Sequence, residues 1–173
     1  MRPTDGGIHQ IPVPGSPGGL WLAGKRVVAP DPDAALARCD ATTVVCLSQR
    51  SEFAEHWPGY APWLDRHRPH RAVWWPIDDL SAPPLDHILP LLNDLRARLD
   101  RGDRLLVHCG AGIGRAGTVA VALLQLHDVT AGDAMAIVRC HRPMAGPEVG
   151  AQRDLIAALE RSLATSSPSR NDS

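Results

Sequence analysis

Lysine is nearly missing from this chain of 173 residues: Lys25 stands alone, and the other 17 of its 18 cationic side chains are arginine. Net charge is nearly absent too, at −1 with the histidines neutral. Such a balance gives no broad pull toward nucleic acid or anionic membranes, so any anion recognition must be local. No apolar run approaches the length of a membrane span. The amino terminus, Met1-Arg2-Pro3-Thr4-Asp5-Gly6-Gly7, has no apolar core of a secretory signal. No Cys-x-x-Cys pair or histidine cluster has zinc-site spacing, so neither a metal nor another cofactor is expected. Phenylalanine and tyrosine occur once each, as Phe53 and Tyr60, beside five tryptophans. Trp21, Trp57, Trp63, Trp74 and Trp75 read as core and loop anchors rather than as a base-stacking platform.

What remains is ordinary globular composition, 44% hydrophobic and 21% charged. That excludes a coiled coil, a disordered chain and a collagen-like fibre. At about 150 residues per domain, one domain is expected. Four cysteines occur, Cys39, Cys46, Cys109 and Cys140. A domain this large needs no disulfide framework, and a reducing, cytoplasmic compartment is expected.

The apolar pattern alternates strands with helices. Ile8 to Val13 reads as an edge strand, because Pro12 and Pro14 exclude a central one. Leu20 to Gly24, Thr42 to Leu47, Arg71 to Trp75 and Arg104 to His108 read as further strands. Asp31 to Cys39 is a short helix with Asp/Pro start signals. Ser51 to Arg68 reads as helical pieces broken at Pro58-Gly59 and at Pro62. Leu85 to Arg101 has helical spacing, with a kink expected at Pro90. Helices are expected over Thr118 to His127, Asp133 to Cys140 and Glu148 to Leu163. The expected fold is α/β: one domain over residues 1–164, with a central, mainly parallel sheet covered by helices on both faces. A phosphate-binding loop would join a central strand to a helix. Residues 165–173 are expected to form a disordered tail.

The run that carries chemistry is His108-Cys109-Gly110-Ala111-Gly112-Ile113-Gly114-Arg115-Ala116-Gly117-Thr118. A cysteine ends a buried strand, five residues follow, and an arginine opens a helix. Glycines let the backbone curl and approach a ligand closely. Curled this way, successive N–H groups turn inward as an anion-binding nest, and the helix adds its own free N–H groups and dipole. Arg115 offers a planar fork for two phosphate oxygens. A thiol at a helix N-terminus beside a guanidinium ionises more readily than a free one. A nucleophile and a phosphate cradle in one loop imply phosphoryl transfer through a cysteinyl-phosphate.

His-Cys-x5-Arg resembles the signature of the cysteine-dependent protein tyrosine phosphatase superfamily, and the chain looks like its small dual-specificity branch. The resemblance extends upstream, where Trp75-Pro76-Ile77-Asp78-Asp79-Leu80 is similar to that family's general-acid loop. Downstream, Arg139-Cys140-His141-Arg142-Pro143 and Gln152 resemble the segment after the loop helix. Carried over, Cys109 would attack phosphorus. The backbone N–H groups of Gly110, Ala111, Gly112, Ile113, Gly114 and Arg115, with the Arg115 side chain, would hold the phosphoryl oxygens. Asp79 would be the general acid, with Asp78 the alternative. His108 would orient the loop and help set the thiol's ionisation, and Gln152 would position water or else be a surface polar residue.

Most members of that family carry Ser or Thr after the arginine; here it is Ala116. The same alanine marks the phosphatase-of-regenerating-liver subfamily, which the catalytic segment resembles most. That subfamily ends in a prenylated cysteine, whereas this chain ends Ser169-Arg170-Asn171-Asp172-Ser173, so no membrane anchor carries over. Lysines in the loop would suit a polyphosphorylated inositol head, but Gly110 and Ile113 stand there. A phosphotyrosine in a phosphoprotein or phosphopeptide is the expected substrate, with phosphoserine and phosphothreonine as further targets. No nucleic-acid partner is expected.

Other readings of these residues stay open. Gly112-x-Gly114-x-x-Gly117 also matches a dinucleotide fingerprint, but that reading leaves the Cys-to-Arg spacing unexplained. Cys46 is either a core thiol or a resolving partner for Cys109. Glu52 could brace Arg115. His141 and Arg142 either line the pocket mouth or satisfy a helix C-terminus. The basic run Arg66 to Arg71 is either a solvated face or a site for acidic substrate flanks. The function is either turnover of a phosphoprotein, binding of a phosphate group without useful turnover, or hydrolysis of an RNA 5′ end or another small phosphoester.

Overall fold

The computed structural model describes residues 7–167. Five strands form one sheet in the order β1-β2-β5-β3-β4. They are β1 (His9–Ile11), β2 (Gly19–Gly24), β3 (Thr43–Cys46), β4 (Ala72–Trp74) and β5 (Arg104–Cys109). All neighbours are parallel except the edge pair β1 and β2. Among the described residues α1 (Lys25–Val28), α2 (Pro32–Cys39), α3 (Tyr60–His67) and α4 (Leu85–Asp100) lie between strands, and α5 (Gly114–Leu126), α6 (Ala131–His141) and α7 (Gly150–Ser166) follow β5. A single 3-10 turn spans Arg50–Glu52.

The two-residue period of the strands divides the sheet between two cores. Leu105, Val107 and Cys109 of β5, with Val45 of β3, pack under α4 to α7. Leu106 and the β3 residues Val44 and Cys46 pack under α1 to α3. Both faces are therefore covered, as the continuous apolar runs of the inner strands require. The middle of the larger core is α5, all thirteen of whose residues are buried. Gly117 makes this packing possible, because a Cβ there would collide with the backbone of Gly146. Among the described residues no helix is long and apolar enough to cross a membrane.

Three expected boundaries move. Pro62 does not break its segment but sits third in α3. In the first helical turn a backbone N–H has no intrahelical partner, so proline forfeits nothing there. The helix after the glycine loop begins at Gly114, four residues before the apolar run at Thr118. At the other end α7 runs through Thr165 and Ser166, into the segment read as a tail; residues 168–173 lie outside the described residues.

Candidate active site

The centre of the sheet is where β5 hands over to α5, and the loop between them is held almost entirely by its carbonyl oxygens. The backbone N–H of Lys25 donates to Gly110 at 3.0 Å. Arg142 donates to Ala111 at 2.9 Å and to Gly112 at 2.7 Å. The Ile113 oxygen accepts from Gly117 and Gly146, and the Gly114 oxygen from the Thr118 hydroxyl at 2.7 Å. In a trans peptide the C=O of one residue and the N–H of the next point opposite ways. With five successive carbonyls fixed outward, the N–H groups of Ala111 through Arg115 face inward. One bond upstream completes the set: His108 Nδ1–H donates to the Cys109 oxygen at 3.3 Å, which turns the Gly110 N–H the same way. None of these six N–H groups donates to an acceptor among the described residues. At Gly112 the turn needs φ +72°, and a Cβ would run into the Ala23 carbonyl.

Cys109 stands at the floor of this ring, 3% exposed. Beside it the Arg115 guanidinium is clamped. Its Nη1 and Nη2 each donate to a Glu52 carboxylate oxygen at 2.7 Å, and Nη1 also reaches the Ile77 carbonyl at 2.8 Å. Glu52 is set by the turn it ends, where it accepts from the Gln49 N–H at 2.7 Å. Burial alone would raise the Glu52 pKa, but the hydrogen bonds from Arg115 and Gln49 outweigh it and hold the carboxylate below its ordinary range. Burial likewise works against the Arg115 charge, and Glu52 outweighs it, so the guanidinium titrates above its usual value. The Arg115 Nε–H is buried and has no partner.

The two candidate acids separate cleanly. An Asp79 oxygen lies 3.2 Å from Arg115 Nη2, with its side chain mostly exposed over the cleft. Asp78 turns away and accepts from the Gln49 side chain at 2.9 Å. Gln152 is fully buried, which removes the surface reading. Its Oε1 accepts from the Glu148 N–H at 2.8 Å, and its Nε2 donates to the Ser81 carbonyl at 3.3 Å, tying α7 to the Asp79 loop. Glu148 itself was not singled out in the sequence; its carboxylate lies where a side chain on Gly114 would go.

Behind Cys109, His108 is fully buried, and burial pushes its pKa down to about 4. The neutral ring donates through Nδ1, so its Nε2 accepts from the Tyr60 hydroxyl. Cys46 belongs to this second cluster. It pairs in register with His108 and so faces the side of the sheet opposite Cys109. Burial drives its thiol up to about 12. The structure thus favours the core-thiol reading over the resolving one. The basic run is also accounted for: Arg68 pairs with Asp65 at 2.6 Å and Arg71 with Asp33 at 2.8 Å, both exposed. His141 is exposed and bonds back to the Ile137 carbonyl. Arg142 neither lines a mouth nor caps a helix end with its side chain; it holds the loop.

The strand-ending cysteine, the ring of inward amides and the clamped arginine all lie inside the segment that a family model matches. The family described as Swiss Army Knife protein, DSP-PTPase phosphatase domain, matches residues 20–169. The chain belongs to that family. Human dual specificity protein phosphatase 14 is 42% identical over 83 residues, which is 47% of this chain and 42% of that protein. The chain spans between 14% and 65% of the length of the curated relatives it matches. Among solved structures, Tk-PTP in its active form superposes with a TM-score of 0.66 at 26% identity, covering 93% of this chain and 99% of that one. Kinase associated phosphatase shares the fold with a TM-score of 0.76 at 19% identity, covering 93% and 97%.

Proposed function

We propose that this member of the dual-specificity phosphatase family hydrolyses phosphotyrosine in proteins through a cysteinyl-phosphate. One observation carries the reading: six backbone N–H groups and the Arg115 Nε–H surround Cys109 without acceptors of their own. Leaving the buried Arg115 Nε–H unpaired costs about 1–3 kcal/mol, and a phosphoryl group supplies oxygens for it and for the loop N–H groups. Cys109 sulfur attacks phosphorus as the phosphorus–oxygen bond to the leaving group breaks. Asp79 gives its proton to that oxygen. Asp79, now a carboxylate, takes a proton from water as the water oxygen attacks phosphorus and the sulfur leaves. His108 acts one bond away, by fixing the Cys109 carbonyl, and Gln152 acts by fixing the Asp79 loop through Ser81.

A single phosphate on an aryl ring fits the surroundings. Leu80 and Met144 are the large hydrophobic side chains exposed among the described residues, at 60% and 76%. Leu80 follows the acid and Met144 lies on the loop pinned to Ile113 through Gly146. Both have positive φ, uncommon for such side chains and a conformation that concentrates at ligand sites.

Ala116 supports a second reading, in which the loop captures phosphate and releases it too slowly to matter. The likeness to the regenerating-liver subfamily rests on this alanine together with Trp75-Pro76-Ile77-Asp78-Asp79 and the Pro83-Pro84 pair. Ala116 is fully buried, and the nearby Thr118 hydroxyl is committed to the Gly114 carbonyl, so no hydroxyl helps the thiolate depart. Hydrolysis of para-nitrophenyl phosphate, followed from the first turnover in wild type and Cys109→Ser, separates the two. Steady turnover that the serine variant loses supports the enzyme. A stoichiometric burst that stalls supports capture. Wild type with neither burst nor turnover overturns both.

A further inference from the structure

Arg142 is 3% exposed, yet no carboxylate among the described residues pairs with it. Every hydrogen bond it makes goes to a neutral group. Nε donates to the Gly112 oxygen at 2.7 Å and Nη2 to the Ala111 oxygen at 2.9 Å. Nη1 reaches the Gly7 oxygen at 2.7 Å, His9 Nδ1 at 2.9 Å and the Leu22 oxygen at 3.4 Å. A guanidinium only donates, so His9 is held as the tautomer whose Nδ1 accepts. Two of the five carbonyls that turn the loop amides inward thus depend on one side chain, 30 positions away in the chain.

We propose that Arg142 is a positioning residue for the phosphate cradle, and that the strap Gly7–His9, with Leu22, positions Arg142 in turn. The inference rests on the cradle reading above and adds to it. Two consequences follow from the geometry. The planar fork spans consecutive carbonyls, Ala111 and Gly112, which a lysine's single nitrogen cannot do with the same spacing. The guanidinium also places a positive charge behind the loop that no carboxylate among the described residues pairs with. Burial pushes its pKa down, and the Cys109 thiolate is the charge that opposes this. An anion in the cradle would offset the Arg142 charge, and losing Arg142 loosens the two carbonyls that turn the ring toward a bound oxyanion.

The test uses the whole chain with Arg142→Lys and His9→Ala. Circular dichroism and thermal unfolding report folding. Vanadate binding, and the pH profile of Cys109 alkylation by iodoacetamide read by mass spectrometry, report the cradle. A merely structural role would move the melting temperature and leave both of the latter unchanged. Arg142→Lys is expected to weaken vanadate binding at least tenfold and to move the alkylation profile to higher pH while the fold persists. His9→Ala shifts both in the same direction by a smaller amount. A folded Arg142→Lys protein with vanadate affinity within twofold of wild type and an unmoved profile overturns the proposal. If Arg142→Lys does not fold, His9→Ala decides: a threefold loss of vanadate affinity supports it, and no loss overturns it. Wild type that binds no vanadate defeats the cradle reading itself, and this inference with it.

Discussion

Arg115 and Arg142 are equally buried, at 3% exposure each, and both meet the same loop, but they are compensated in opposite ways. Arg115 faces the cleft and carries a bidentate carboxylate, Glu52, which fixes the fork and cancels its charge. Arg142 meets the loop's carbonyls and pairs with no carboxylate among the described residues. The neutralised arginine offers directional donors to a substrate. The uncancelled one offers charge from behind and shapes the backbone. On the proposed function, a bound phosphate would take geometry from one guanidinium and field from the other. Bringing a carboxylate to Arg142 would cancel the field, and removing Glu52 would free the fork to move.

The sharpest break in this comparison is on the cleft side. Arg115→Lys should lower kcat/KM for para-nitrophenyl phosphate by about 10²–10³-fold, the usual cost of losing a preorganised donor at developing negative charge. Next, Asp79→Asn should lower kcat by about 10²-fold, the low end for a general acid, and Asp78→Asn should change it far less. The reverse order would move the acid to Asp78. A smaller effect, and a gain, is expected from Ala116→Ser: pre-steady-state traces should show the second, dephosphorylation step accelerated several-fold. On the stability side, His108 stays neutral in the fold down to about pH 4, whereas an unfolded histidine takes up a proton near 6.5. Between those values the unfolded state binds more protons. Unfolding free energy should therefore rise with pH there, by up to about 1.4 kcal/mol per unit, and level off above. Urea titrations of wild type and His108→Gln across that window would show the slope disappear with the imidazole.

Much of this site was legible in the chain because its chemistry is local. Cys109 to Arg115 is one contiguous run, and Glu52 carries a charge whose partner, Arg115, could be named in advance. The strands showed themselves as short apolar runs, and the switch of face along them follows from a period of two. Arg142 was visible as a residue but not as a part, because its partners are carbonyl oxygens, which every residue has and no sequence distinguishes. The same holds for the Gly117–Gly146 contact, where two backbones meet without side chains. Pro62 misled because a proline's effect depends on its place in the helix. Cys46 and Cys109 sit on neighbouring strands, and only the register assigned them to opposite faces.

An Asp79 oxygen lies 3.2 Å from Arg115 Nη2, so the chain itself already occupies one donor of that guanidinium. Any phosphate mimic that uses Nη2 must displace this tethered competitor, and its measured affinity is a difference between two contacts to one donor. A monocarboxylate inhibitor would imitate the competitor more than the substrate. Compounds that leave Asp79 in place and reach instead toward the exposed Leu80 and Met144 would not meet that competition.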